Sequence, residues 1–242
     1  MTTIEASGLC KRYGARTALD GLTFTADTGE VIGLLGPNGA GKTTAIRLLT
    51  TILEPTGGTF TVAGIPGDQP QRIRQRIGVL PESAGYPDRQ SGAEYLRYAA
   101  RLFGRSRPDA RTAAERLLAD VGLSERAGAR IATYSRGMKQ RLGIARALVN
   151  DPAVVFLDEP TSGLDPAGQG EILATISDIA RRRGATVVLS THTLTEVEQV
   201  CDNLLILDRG KLRAAGPIAE IVAGAGSLSS AFLHLTGQDS HD

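Results

Sequence analysis

No stretch of this 242-residue chain approaches the ~20 consecutive apolar residues that a helix needs to cross a bilayer. Residues 1–14 also lack the apolar centre of a secretory signal. There is no excess of one charge: 27 Lys and Arg face 26 Asp and Glu, for a net charge of +1. A nucleic-acid binder usually carries a basic stripe and an elevated isoelectric point, so the balance speaks against a nucleic-acid partner. The one tight basic run, Arg181, Arg182 and Arg183, falls at the end of a predicted helix, where solvated cations complement the dipole. Cysteine is scarce. Cys10 and Cys201 are far apart and lack metal-ligand spacing, so they read as reduced thiols of a cytosolic protein. Internal repeats and low-complexity blocks are missing as well.

What is present is ordinary for a globular fold: 41% hydrophobic and 22% charged residues. A chain of this length hides roughly 70–75% of the surface its unfolded form exposes. That suits one domain, or a domain with a subdomain. Patterning predicts strands over residues 3–9, 22–26, 31–35, 59–62 and 77–80, with a helix over 42–50. The middle turns helical. Helices over 93–103 and 109–121 are parted by Gly104 and Pro108, and about 83–150 is assigned to a helical subdomain. Alternation returns with a strand over 154–158, a helix over 166–183, and strands over 185–190 and 204–207. This order predicts an α/β fold, a mostly parallel sheet flanked by helices. One domain over 1–223 is expected, then a tail over 224–242 whose amphipathic piece, 228–235, packs back on the body while 238–242 fray.

Gly36-Pro37-Asn38-Gly39-Ala40-Gly41-Lys42-Thr43 fits the pattern G-x-x-x-x-G-K-[ST] between a predicted strand and a predicted helix, the context that motif requires. Glycines let backbone N–H groups turn inward around phosphate oxygens. The helix starting near Lys42 aims the positive end of its dipole at the same anion. Lys42 suits the β- and γ-phosphates and the Thr43 hydroxyl suits Mg²⁺, with Thr44 next in the cradle. The bland reading is a glycine-rich loop with an incidental lysine.

A second constellation is the apolar strand that ends in Asp158 and Glu159. Two carboxylates at the tip of a buried strand are costly unless something positive waits there. Asp158 is suited to the Mg²⁺ shell and Glu159 to polarising the attacking water as general base. Taken alone, the same residues describe a strand end with a turn. His192 follows another strand end, where a lone histidine is usually structural; beside a phosphate cradle, a neutral imidazole suits the γ-phosphate and the water. The base-reading motifs N-K-x-D and T-K-x-D are absent, which argues against a GTPase.

Tyr134-Ser135-Arg136-Gly137-Met138-Lys139-Gln140-Arg141 supplies a second anion site: Ser135 caps a helix and Gly137 lets backbone approach a phosphate. By itself it would read as a plain cap on an amphipathic helix. In this order the motifs resemble the ABC ATPase family over nearly the whole chain. Residues 134–141, leading into 142–148, resemble the signature L-S-G-G-Q followed by its Q-R-x-x-I-A-R-A-L helix, whose Q-R is Gln140-Arg141. The resemblance implies a P-loop NTPase core, an N-terminal antiparallel β subdomain, an inserted α-helical signature subdomain, and ATP with Mg²⁺ as cofactors. It implies that Tyr13 stacks on adenine, although a half-buried strand-end tyrosine is the other reading. It makes His192 the switch histidine and puts Asp165, in Ser162-Gly163-Leu164-Asp165, on the loop that crosses between subunits. There are three departures. Glu82 stands where the family usually has glutamine; it keeps water-mediated reach to Mg²⁺ but adds negative charge. Arg136 replaces the first signature glycine, and Met138 the signature glutamine.

The resemblance also implies partners. ATP on one P-loop would be closed over by Ser135 and Gly137 of a second nucleotide-binding domain, expected to be a second copy of the chain. A separate transmembrane permease would dock near residues 82–103, holding the chain at the cytoplasmic face of the membrane. The tail, with Phe232, Leu233 and Leu235, resembles that of exporter ATPases for drugs, polyketides or sodium. Two other functions remain open. A soluble member of the family acting on DNA or ribosomes is one, but the interval of about a hundred residues between P-loop and signature shows no sustained heptads, and there is one cassette. A binding module with an idle site is the other; Lys42, Asp158, Glu159 and His192 speak against it.

Overall fold

The computed structural model describes residues 1–237; the frayed end expected over 238–242 lies outside the described residues. Two long strands, β1 (Thr2–Tyr13) and β2 (Arg16–Asp27), pair antiparallel around a turn at Gly14 and Ala15. Strand β3 (Val31–Leu35) runs into the glycine loop and helix α1 (Lys42–Leu49). Next come β4 (Gly57–Val62), the short β5 (Ile65–Pro66), α2 (Pro70–Arg74) and β6 (Ile77–Leu80). Three helices follow: α3 (Gly92–Leu102), α4 (Arg107–Asp120) and α5 (Arg136–Ala147). The chain then alternates through β7 (Val154–Asp158), α6 (Pro166–Arg183), β8 (Thr186–Thr191), α7 (Leu194–Val200) and β9 (Asn203–Asp208). It closes with β10 (Lys211–Pro217), α8 (Ile218–Val222) and α9 (Leu228–Thr236).

Two sheets result. One is antiparallel, in the order β2-β1-β4-β5. The other has the order β10-β9-β3-β8-β7-β6, parallel except for β10 on β9. All of β3, β7 and β8 is buried, which is why these strands read as unbroken apolar runs. Successive side chains still point to opposite faces. Val155 and Leu157 pack with Leu142 of α5 and Ile172 and Ile176 of α6, while Val154 and Phe156 pack with Ile4, Phe24 and Phe60 of the antiparallel sheet. The parallel sheet is thereby clamped between the helices and the second sheet, with its strand ends free to carry chemistry.

Helix α3 starts on a reciprocal cap. The Glu94 N–H donates to Ser91 Oγ at 3.2 Å and the Ser91 N–H donates to Glu94 Oε2 at 2.8 Å. The Ser91 N–H, and then the Ser91 hydroxyl, which donates to the same Oε2 at 3.0 Å, hold the Glu94 carboxyl below its usual range. Helix α9 lays Leu228, Phe232 and Leu235 against Leu204 and Ile206 of β9. Of the basic run, Arg182 pairs with Asp178 one turn back, as a solvated helix end should. Arg183 departs from that expectation: it pairs with Asp120 and Asp151 and ties α6 to α4. Both cysteines are free, and burial, then Asp202 and Glu196, push the Cys201 thiol up to about 12.

The helical layer meets the sheet closely at Gly78 in β6, where an added Cβ would lie 2.1 Å from the Ala147 carbonyl oxygen at the end of α5. Backbone cannot yield as a flexible side chain does. Gly78→Ala should therefore destabilise the fold by about 2 kcal/mol, read as a fall in Tm of about 4–8 °C. An unchanged melting curve would show that β6 and α5 slide apart freely.

Candidate functional site

The C-terminal ends of the parallel strands face a cleft of about 560 Å³. Its floor is the loop from Gly36 to Gly41. At Gly36 an added Cβ would sit 2.3 Å from the Leu207 carbonyl oxygen, so the loop lies hard against β9. Gly41 caps α1 with a φ of +108°, open to glycine alone, and turns the chain so that the helix begins at Lys42. Asn38, Gly39, Ala40, Gly41, Lys42, Thr43 and Thr44 all line the cleft. Gly36 and Pro37 act through their carbonyls, which accept from Lys42 Nζ at 2.7 and 3.4 Å.

The two acids at the end of β7 diverge. Asp158 continues the strand and is 3% exposed. Its Oδ1 accepts from Ser190 Oγ at 2.5 Å and from Thr43 Oγ1 at 3.3 Å. Glu159 leaves the strand with φ +50°, a left-handed conformation unusual outside glycine, which its surroundings must hold. The Glu159 N–H donates to both Ser190 Oγ (3.0 Å) and the Ser190 carbonyl (3.2 Å). One serine on β8 thus fixes both acids. The turned-out Glu159 carboxylate lies 3.4 Å from Lys42 Nζ through Oε1 and 2.9 Å from His192 Nδ1 through Oε2. Lys42 is 6% exposed, so this pair is poorly screened.

Asp158 has hydroxyl donors but no ion-pair partner among the described residues. A buried carboxylate and hydroxyl oxygens form a hard donor set that fits Mg²⁺, which takes few protein ligands and completes its shell with water and phosphate oxygens. No cluster of three or more His, Cys, Asp or Glu suited to a metal occurs among the described residues. Glu82 lines the same cleft with an exposed side chain.

Other expected residues stand elsewhere. Tyr13 ends β1, 48% exposed, with Lys11 Nζ 5.3 Å over its ring. Among the described residues, the cleft wall on that side is Arg16, Thr17 and Ala18 instead. Ser135 caps α5 by accepting from the Met138 N–H at 3.2 Å, and Asp165 caps α6 by accepting from the Gly168 N–H at 2.8 Å. Neither they nor Gly137 line this chain's own cleft. The guanidinium of Arg136 lies over Gly163, where an added Cβ would come within 2.4 Å of its Cζ. Ser162, the first residue of the loop motif that ends at Asp165, also walls the cleft, as do two residues not singled out from the sequence: Arg16 beside the first hairpin turn and Arg209 at the turn between β9 and β10. Ser190 was equally unannounced; a hydroxyl two residues before His192 was its one trace.

A sequence profile described as ABC transporter matches residues 19–162, more than half of the chain. The chain is 41% identical over 228 residues to the daunorubicin/doxorubicin resistance ATP-binding protein of Streptomyces peucetius, covering 93% of this chain and 68% of that one. It is 40% identical over 221 residues to the Nod factor export ATP-binding protein I of Paraburkholderia xenovorans, covering 91% and 72%. A solved ATP-binding subunit of an ABC transporter superimposes with a TM-score of 0.86 at 32% identity, over 97% of this chain and 100% of that one. With a glycine-rich loop, two divergent acids and a histidine at the C-terminal ends of three adjoining strands, the chain belongs to the ABC transporter family, as one of its ATP-hydrolysing, ATP-binding subunits.

Proposed function

We propose that this ABC ATPase works as one of two facing nucleotide-binding domains, residues 1–223 with a tail over 224–242, docked on a separate transmembrane permease and driving export. The observation that carries the paired arrangement is that Ser135 and Gly137 stand outside the cleft of their own chain. An exposed cap at the start of a 12-residue helix is suited to the phosphates of a nucleotide held by a second copy. Asp165, on the loop beside it, would face the same junction, and Tyr13 would reach the adenine.

Within the cleft, the loop N–H groups and Lys42 bind the β- and γ-phosphates and stabilise charge developing on them. Thr43 and Asp158, with Glu82 through water, would hold Mg²⁺, which when bound neutralises charge at the β- and γ-phosphate oxygens. Glu159 accepts a proton from the attacking water as the bond from the γ-phosphorus to the bridging oxygen breaks. His192, bonded to the same carboxylate, orients it. Loss of the γ-phosphate removes contacts that only the closed pair makes, so the pair reopens.

Export is supported by the names of the relatives, one a resistance protein and one an export protein. No helix among the described residues is long and apolar enough to cross a membrane; in this reading a separate permease supplies the path and holds the chain at the cytoplasmic face. Its docking surface would be α3 and the residue that caps its C-terminal end, where Tyr98, Leu102 and Phe103 are 59%, 69% and 44% exposed. Affinity capture of the tagged chain from detergent-solubilised membranes should bring down a multi-span protein. Tyr98→Asp with Leu102→Asp should cut its recovery at least about 10-fold and leave ATP turnover by the isolated chain unchanged. Capture of ribosomes or DNA in place of a membrane protein would favour the soluble alternative.

A further inference from the structure

We infer that Glu196, buried beneath the ends of β7 and β8, is a positioning residue for hydrolysis, tying the turn that carries Glu159 to the strand end that carries His192. The inference rests on reading Glu159 as the base.

Glu196 lies in the first turn of α7 and is 3% exposed. Burying a carboxylate is expensive unless its oxygens are satisfied. No cation pairs with it among the described residues; instead each oxygen takes a hydroxyl from a different segment. Thr161 Oγ1 donates to Oε1 at 2.7 Å and Thr191 Oγ1 donates to Oε2 at 2.7 Å. Both threonines are buried, at 2% and 1% exposure. The Thr191 oxygen also accepts from the Thr193 N–H at 3.0 Å, so its hydroxyl proton is committed to Glu196.

The sequence positions of the two donors give the arrangement its meaning. Thr161 sits two residues after Glu159, in the turn closed by the Ser162 N–H to the Glu159 carbonyl at 3.1 Å. Thr191 directly precedes His192. The 2.9 Å contact between Glu159 and His192 spans the same two segments from above. A left-handed residue such as Glu159 keeps its conformation only while neighbours over-determine it. Ser190 holds it from the N–H side, and Glu196 holds the turn that follows. An apolar residue would fill the space under α7 at less cost, but it would not set the register of these two loops. Because a displacement of about 1 Å at a reacting group can cost about 100-fold in rate, a shared anchor for both loops acts on turnover more than on nucleotide affinity.

The test is steady-state phosphate release by the full chain with Mg-ATP, alongside thermal unfolding. Thr161→Val keeps the side-chain volume and removes one donor. We expect kcat to fall about 10-fold or more with KM for ATP within about 3-fold, and Thr161→Ser, which restores the hydroxyl, to recover most of the rate. Should Thr161→Val fail to fold, Glu196→Gln asks the same question, since it trades one acceptor oxygen for a donor; kcat should again fall with KM held. Folded variants with unchanged kcat, a parallel loss of kcat and affinity, or no rescue by serine would overturn the proposal while leaving Glu159 as the base. A wild-type chain that releases no phosphate would overturn both.

Discussion

Glu159→Gln should slow phosphate release by at least about 100-fold while leaving ATP affinity within a few-fold of wild type. The amide keeps the shape and can still meet His192, but it cannot accept the proton of the attacking water. The neighbouring contacts sharpen the expectation. Lys42 Nζ lies 3.4 Å from Oε1, and removing the negative charge frees that ammonium for phosphate. Binding should therefore hold or tighten as turnover is lost. With saturating Mg-ATP the variant should also run as a dimer on size exclusion, because the γ-phosphate that both halves grip is no longer removed. Phosphate release, equilibrium nucleotide binding and elution volume read the three parts separately. Normal turnover would strip Glu159 of the role of base, and a monomer under these conditions, even with the permease supplied, would end the split-site reading.

Lys42→Ala should act at the earlier stage and weaken ATP binding by about 30-fold to 1,000-fold, with turnover lost in proportion. Lys42 is held in the cleft floor at 2.7 Å from the Gly36 carbonyl, so its charge is already oriented before any phosphate arrives. Its removal also leaves the Glu159 carboxylate, whose side chain is 12% exposed, without its nearest cation. Some loss of thermal stability should accompany the loss of binding, because an unpaired carboxylate is costly in so dry a place. Titration of nucleotide, with the melting curve as control, separates the two effects. Full affinity in a folded variant would remove the phosphate-cradle assignment.

Much of the site is local in sequence and was legible there. The run from Gly36 to Thr44 is a loop and a helix start, built by neighbours along the chain, so residue type and spacing suffice to describe it. The strands over 154–158 and 77–80 and the helix over 166–183 match β7, β6 and α6 residue for residue, because unbroken apolar runs and a helix with a glycine stop carry their own boundaries. Strands β1 and β2 run longer than the predicted 3–9 and 22–26, since pairing supplies backbone hydrogen bonds where the apolar pattern has already lapsed. Strand β10 went unseen for the same reason: Lys211 to Pro217 is a half-exposed edge held by β9, with little apolar signal of its own.

Amino-acid order alone determined the glycine loop, a short segment whose backbone geometry its own residues impose, and it set the two acids and the histidine at the ends of apolar strands. Tertiary structure decided how those segments meet. It brought Ser190 under both acids and Glu196 under both threonines, and it walled the cleft with Arg16 and Arg209. These contacts join residues remote along the chain, and their hydrogen bonds depend on strand order and register, which periodicity does not encode.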